Sequence, residues 1–254
     1  MQVRWRGLEL PARVDKDAKS SADNFGRFTA EPFVRGMGTT IGNSLRRILL
    51  STIEGAAVTK VEIKGVQHEF DTMEGVLQDV TDIILNMKGL VVSMTGEGPK
   101  TMKLCAEGPG DVTAEMIECD TSITVHNPEH VIATLGPGVE FEATFTVETG
   151  RGYRPASEYY ENGEEQVIGE IPVDAIFSPV QRVRFRTENA RVGQRTDYDN
   201  LILDVWTNGT VSPEMAVVEA AKILRKHLNP FIMYDEAGDT TVSHEVMETT
   251  AEDM

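Results

Sequence analysis

An α+β fold is predicted by three features of this sequence. Helical periodicity is confined to three separated segments, period-2 alternation recurs between them, and no strand-helix-strand rhythm links the two, which argues against a doubly wound sheet. Strands that alternate apolar with charged residues bury one face and wet the other, so the sheets are expected to be antiparallel and open to solvent on one side. No internal repeat is visible.

The first helix is expected over 38–52. Gly36, Gly38 and Gly42 lead into it and give a backbone that can turn sharply and approach another chain closely. Ile41, Leu45, Ile48, Leu49 and Thr52 then recur at helical spacing, with Arg46 and Arg47 inside the run. Adjacent residues point about 100° apart around a helix, so the two arginines cannot serve one face. A strand follows, in which Val61 and Ile63 alternate with Glu62 and Lys64.

The second helix is expected over 72–88, opened by Asp71 with Glu74 three residues on and closed by Gly89, a capping-box pattern with a glycine stop. Its apolar face is Val76, Val80, Ile83, Ile84 and Met87. The longest strand signal is Val139–Val147, where Val139, Phe141, Ala143, Phe145 and Val147 alternate with Glu140, Glu142, Thr144 and Thr146. Val183 and Phe185 alternate likewise with Arg182, Arg184 and Arg186.

The third helix begins at Ser212 as N-cap with Pro213 in the first helical position. Val217, Ala221, Leu224, Leu228 and Phe231 form its stripe until Pro230 disturbs it. From 235 to 254 there are seven acidic residues, no Lys or Arg and little apolar periodicity, the composition of a disordered acidic tail.

With 254 residues, 40% of them hydrophobic, the chain can bury a core and disorder throughout is excluded. Its net charge of −17 opposes sequence-blind DNA binding, which needs Lys and Arg to neutralise phosphates, so contact with nucleic acid should be indirect. Cys105 and Cys119 are the only cysteines, too sparse for a disulfide framework, and are expected as small buried hydrophobes on strands. Neither a signal peptide nor a long apolar span is seen, so a cytoplasmic location and no membrane partner are expected.

Several chemical readings fail on spacing. Gly36, Gly38 and Gly42 do not match a dinucleotide fingerprint, Pro32 spoils the preceding strand, and no β-α-β unit follows. Cys105, Cys119, His126 and His130 are zinc-type ligands without a CxxC pair. A two-magnesium site needs clustered carboxylates, and no DxDxD-like cluster occurs. No catalytic residue, metal or cofactor is expected.

Surface features point elsewhere. Leu50 and Ile53 lie off the main stripe of the first helix, and Val218 and Ile223 off that of the third. So wide an apolar surface favours association, the alternative being that both are simply core helices. Arg182, Arg184, Arg186, Arg191 and Arg195, with one intervening acid in Glu188, form a basic ribbon in an acidic chain. With no aromatic platform for bases beyond Phe185, it reads as a protein docking surface, where arginine is favoured. Lys88 closes the second helix and complements its dipole.

Four blocks carry a resemblance. These are EPFVRGMGTTIGNSLRRILLSTIE (31–54), AAVTKVEIKGVQHEFDTMEGVLQDVTDIILNMKGLVV (56–92), GRGYRPAS (150–157), and the stretch 172–217 with PVDAIFSPVQRVRF and ARVGQRTDYDNLILDVWTNGTVSPEMAV. Together, in order between about residue 25 and residue 234, they resemble the N-terminal assembly domain of bacterial RNA polymerase alpha subunits. The first residues, MQVRWRGLELPARVDKD, match loosely. Family members usually carry a linker and a helical C-terminal domain that binds promoter DNA, and no segment of these 254 residues is expected to supply that function.

The resemblance implies a two-domain arrangement. A discontinuous dimerisation domain, 1–54 with 178–234, places the first and third helices on one antiparallel sheet, and a strand-rich domain of 55–177 is inserted into it. It also implies a homodimer through Ile41, Leu45, Ile48, Leu49, Leu224, Leu228 and Phe231. The family pattern places beta-subunit docking at Arg47 and Leu50, and beta-prime docking at Lys88 and Val173. Arg182, Arg191 and Arg195 of the basic ribbon are assigned to the beta side. The expected function is a non-catalytic scaffold that dimerises and recruits beta and beta-prime into DNA-dependent RNA polymerase, touching DNA only through that complex. The rival is an unrelated acidic cytosolic α+β homodimer that binds a small molecule, which would need a concave site with convergent polar groups.

Overall fold

The structure, a computed structural model, describes residues 9–17, 22–96, 98–161 and 169–233. In chain order it runs β1 (Val14–Lys16), β2 (Phe25–Val34), α1 (Met37–Ser51), β3 (Glu54–Ile63) and α2 (Val80–Lys88). Then come β4 (Val92–Met94), β5 (Lys100–Glu107), β6 (Gly110–Thr113), β7 (Ile117–Glu118), β8 (Ile123–Val125) and β9 (Val131–Leu135). The remainder is β10 (Glu140–Arg151), β11 (Tyr153–Arg154), α3 (Ser157–Glu161), β12 (Glu170–Pro172), β13 (Ala175–Ile176), β14 (Val180–Val192), β15 (Arg195–Thr207) and α4 (Pro213–Ile232). Every strand pair is antiparallel, as alternation predicts.

Two sheets organise these elements. The first has the order β1-β2-β15-β14, and the second β12-β3-β10-β5-β7. On one face of the first sheet, Phe28, Val183, Leu203 and Val205 pack with Leu49 of α1, Ile53 just beyond it, and Ala216 and Ala220 of α4. The second core is larger and separate. Its buried residues run from Val58 to Val173, with Phe141 and Phe145 of β10 at the centre and Val80, Ile83 and Met87 of α2 closing one side. Each fully buried Leu, Ile or Phe contributes about 1.5–3 kcal/mol.

The first sheet thus draws on chain before β3 and after β13, and the second on what lies between. Where the chain leaves and returns, the strands are in contact. A Cβ on Gly55 would lie 2.0 Å from the Phe177 carbonyl oxygen, so only glycine fits at this crossing. Beside it, the guanidinium of Arg154 lies over the rings of Tyr159 (4.5 Å) and Phe177 (5.3 Å) and pairs with Glu148.

Three expectations need correction. The helix expected at 72–88 spans only Val80–Lys88. Upstream, the Leu77 amide donates to the Thr134 carbonyl, the Gly136 amide donates to the Gly75 carbonyl, and Val76 bridges Leu135. The segment pairs with strand instead of coiling, and the Asp71 carboxylate caps the local amides of Thr72 and Gln67. The third helix passes through Pro230 to Ile232, near enough to its end that few bonds are disturbed. Its start is as expected, with the Ser212 hydroxyl accepting from the Met215 amide at 3.3 Å.

Cys105 and Cys119 are exposed, not buried. Cys105 alternates on β5 with the buried Met102 and Leu104 and so faces water. The Cys119 sulfur still lies 3.6 Å from that of Met102, and partial burial pushes its thiol pKa up. The acidic tail at 235–254 lies outside the described residues.

Of the glycines entering α1, Gly38 and Gly42 lie against this chain's own sheet. A Cβ on Gly42 would sit 2.7 Å from the Phe185 ring and 2.8 Å from Leu201 Cδ1. Gly42→Leu is therefore expected to lift α1 off the sheet and cost about 1–3 kcal/mol. Urea unfolding measures this as a lower midpoint at unchanged slope; an unchanged midpoint would mean that the ring yields freely.

Candidate docking surfaces

Helices α1 and α4 bury only part of their apolar surface in their own chain. Leu49 is completely buried in the core beneath α1, so this member of the expected seam is a support behind it. Ile41, Leu45, Ile48 and Leu50 are half-buried and line the outer side of that core. On α4, burial ends at Ala220. Leu224 is half-buried, while Leu228 and Phe231 are 48% and 79% exposed and continue into exposed Ile232 and Met233.

Beside the buried half of α4 an apolar cleft opens, about 260 Å³, lined by Val14, Phe28, Phe33, Ile41, Leu45, Leu203 and Val217 among others. Among the described residues, a single protomer thus carries both an apolar cleft and an exposed run of large apolar side chains. Exposing both to water is unfavourable, at roughly 25 cal/mol for each Å² of apolar surface.

Arg46 and Arg47 are both exposed, and among the described residues neither forms an ion pair. Leu50 is half-buried one turn from them. The expected arginine ribbon, by contrast, divides in two. Arg182, Arg184 and Arg186 project from β14 on the face away from the helices, while Val183 and Phe185 point into the core. Arg191 and Arg195 sit at the β14-β15 hairpin tip, where Arg191 Nε donates to the Gly193 carbonyl at 2.7 Å and Arg195 pairs with Asp197 at 2.9 Å. That partner raises the Arg195 pKa and lowers that of Asp197.

Register extends the outer face across three strands. Arg182, Arg184 and Arg186 stand opposite Trp206, Asp204 and Ile202, which stand opposite Phe25, Arg27 and Thr29. Asp204 is only 3% exposed and accepts from Arg27 at 2.7 Å, which raises the Arg27 pKa. Phe25 and Trp206 lie 4.8 Å apart, and Arg182 covers the Trp206 ring at 4.8 Å. Sequence reasoning missed Arg27, Phe25 and Trp206. Their alternation was visible, but strand neighbours distant in sequence were not.

On the second sheet, Lys88 reaches beyond its helix end to Asp174 at 2.8 Å. Asp174 also accepts from the Ala156 amide at 2.9 Å, and the pair borders a cleft of about 170 Å³ with Glu69, Thr81 and Leu85. Val173, next to Asp174, is 2% exposed and donates its amide to the Thr59 carbonyl. It backs this surface without presenting its side chain.

The zinc-type residues do not converge. His126 Nε2 meets the Ser93 hydroxyl at 2.7 Å and His130 meets the Asn86 carbonyl at 2.7 Å. Among the described residues no group of three or more His, Cys, Asp or Glu could hold a metal ion, and no helix is long and apolar enough to cross a membrane.

The Lys88 hydrogen bond, then the Ala156 amide, hold the Asp174 carboxyl below its ordinary value of 3.8. A depressed folded-state pKa stabilises the native state above the ordinary value, and the contribution is lost as pH falls through the folded one. Lys88→Met is expected to raise the Asp174 pKa and flatten the acid limb of stability between about pH 2 and 5. Denaturant titrations across that window check this; parallel acid limbs in variant and wild type would refute it.

Comparison with known proteins covers both sheets. The RNA polymerase Rpb3/RpoA insert domain matches residues 61–178, nearly the extent of the second core. A DNA-directed RNA polymerase subunit alpha from Rhodopirellula baltica is 50% identical over 243 residues, covering 96% of this chain and 73% of that protein. One from Geobacter metallireducens is 46% identical over 248 residues, covering 98% and 72%. Identity at this level across nearly the whole chain, on a fold whose conspicuous surfaces are apolar and cationic, means that the chain belongs to the DNA-directed RNA polymerase alpha subunit family.

Proposed function

We propose that this chain is a non-catalytic assembly scaffold which dimerises through α1 and α4 and docks the beta and beta-prime subunits of DNA-dependent RNA polymerase. The observation that carries it is the pairing of an apolar cleft with an exposed apolar helix end on one protomer. A two-fold axis brings such complementary features together twice. The C-terminal half of one α4 then lies against α1 and the cleft of the other, burying Leu224, Leu228 and Phe231 with Ile41, Leu45 and Ile48.

In this reading, 1–54 with 178–234 forms the dimerisation domain and 55–177 the inserted one, consistent with the two separate cores. Arg47, which has no ion-pair partner among the described residues, and Leu50 contact beta, as do Arg182, Arg191 and Arg195. The Lys88–Asp174 pair contacts beta-prime, with Val173 behind it. DNA is reached only through the complex. A small-molecule reading gains nothing from the apolar cleft beside α4, whose lining side chains are apolar apart from Arg13.

Leu228→Asp should place an unpaired carboxylate in the seam, which is strongly unfavourable, and yield monomers by light scattering; a persisting dimer would refute the seam. Arg47→Ala, co-expressed with beta and beta-prime, should abolish recovery of beta and leave the dimer intact. If that variant also dissolved the dimer, the division of roles on α1 would be wrong.

A further inference from the structure

A second cleft, of about 340 Å³, opens where the two units meet. One wall comes from β3, β4 and β10, the other from the turn before α4 and from α4 itself. Ala56, Val92, Met94 and Val211 line it with apolar surface, and Val92 is 2% exposed at its floor. Glu54, at the start of β3, and Glu219, on α4, are exposed at its rim.

The polar groups of this cleft are rich in acceptors and poor in donors. Glu54 accepts from Arg151 through Oε2 alone, at 3.2 Å. Among the described residues Glu219 forms no ion pair. The Thr210 hydroxyl donates to Asn208 at 2.7 Å, which leaves its lone pairs to accept. The Ser93 hydroxyl is engaged with His126 at 2.7 Å. No Lys, Arg or His among the described residues lines the cleft.

We infer that this cleft binds an aliphatic amine, its ammonium against Glu219 and Glu54 and its alkyl chain along Val92, Met94 and Val211. The inference goes beyond the scaffold function and does not rest on it.

The lining selects that ligand class. An ammonium donates and cannot accept, the complement of a site that offers acceptors and holds no cation of its own. An anion would meet two carboxylates. A metal ion needs several oxygen ligands, and among the described residues no group of three or more His, Cys, Asp or Glu could hold one. The competing explanation is that the two acids are simply solvated in a chain of net charge −17, in which case any cation would serve equally. The same ammonium could arrive on a free polyamine or on a lysine side chain. Pockets for free small molecules span about 300–1,000 Å³, and this cleft falls in that range.

The test is calorimetric titration of the purified chain with spermidine at about 0.15 M salt. Beside it run hexanediol, which has a chain without charge, and Mg²⁺, which has charge without a chain. Spermidine should bind once per protomer, and the other two should show no saturable binding. Glu219→Gln should weaken spermidine about tenfold, and Glu54→Gln, whose wild-type carboxylate is shared with Arg151, about threefold. Glu219→Lys, which supplies a competing ammonium, should abolish binding. Glu115→Gln, between β6 and β7 and outside the cleft, should match wild type.

Should Glu219→Lys lower the melting temperature of the free chain, the two glutamine variants carry the test. No saturable binding of spermidine, equal binding of Mg²⁺, or wild-type affinity in both glutamine variants would overturn the inference and leave solvated acids. Binding of a capped Gly-Lys-Gly peptide without binding of spermidine would overturn the free amine and assign the cleft to a lysine of another protein. Arg47 and Leu228, on which the scaffold is tested, do not line this cleft, so either proposal can fall alone.

Discussion

The seat of α1 on the first sheet decides which side chains this chain keeps and which it leaves outside. Gly42 brings the helix against Phe185 and Leu201, closer than any side chain would permit. At that separation Leu49 is swallowed whole, Ile41, Leu45 and Ile48 are half covered, and Arg46 and Arg47 are pushed into solvent. The same contact consumes the inner face of the sheet. Alternation then forces the even-numbered residues of β14 and β15 outward, and so an uncovered face with four arginines follows from one helix being held close.

Helix α4 completes this arrangement by failing to fit. A helix of 20 residues is about 30 Å long, and its burial stops at Ala220. The remaining turns carry Leu228, Phe231 and Ile232 past the end of the core they began on. Extending a hydrophobic helix beyond its own sheet is unfavourable for an isolated protomer and becomes favourable when another surface covers it.

Much of this was legible in local pattern. The alternation at Val183 and Phe185 against arginines, the Ser212-Pro213 start of α4, and the β10 strand all follow from spacing that neighbouring residues impose. The failures share a cause in long-range contact. Val76, Val80, Ile83 and Met87 are spaced for one helix, but Val76 bridges Leu135, some sixty positions away, and the helix forms only from Val80. An apolar stripe on α1 shows that something covers it, yet separating Leu49, covered by its own sheet, from Leu45 and Ile48, covered only in part, requires the sheet itself. Cys105 is different, because its alternation with Met102 and Leu104 already placed it on the wet face, and composition misled where period-2 reasoning would have succeeded.

The inserted sheet gives the proposed scaffold its second side. Exit and return strands meet at Gly55 and Phe177, with Arg154 stacked on Tyr159 and Phe177 beside them. Packing this tight makes the junction a poor hinge, since interiors at organic-crystal density transmit displacement and do not absorb it. The Lys88–Asp174 pair, between α2 and the β12-β13 link, and Arg47 on α1 belong to the two units that this junction joins. In the proposed dimer two-fold symmetry would double that set, so four sites would face two unlike partners. Under the proposed scaffold function, a large subunit spanning sites on one protomer would sterically remove the equivalent approach for a second copy of itself, and identical subunits would in this way seat different neighbours without any difference in sequence between them.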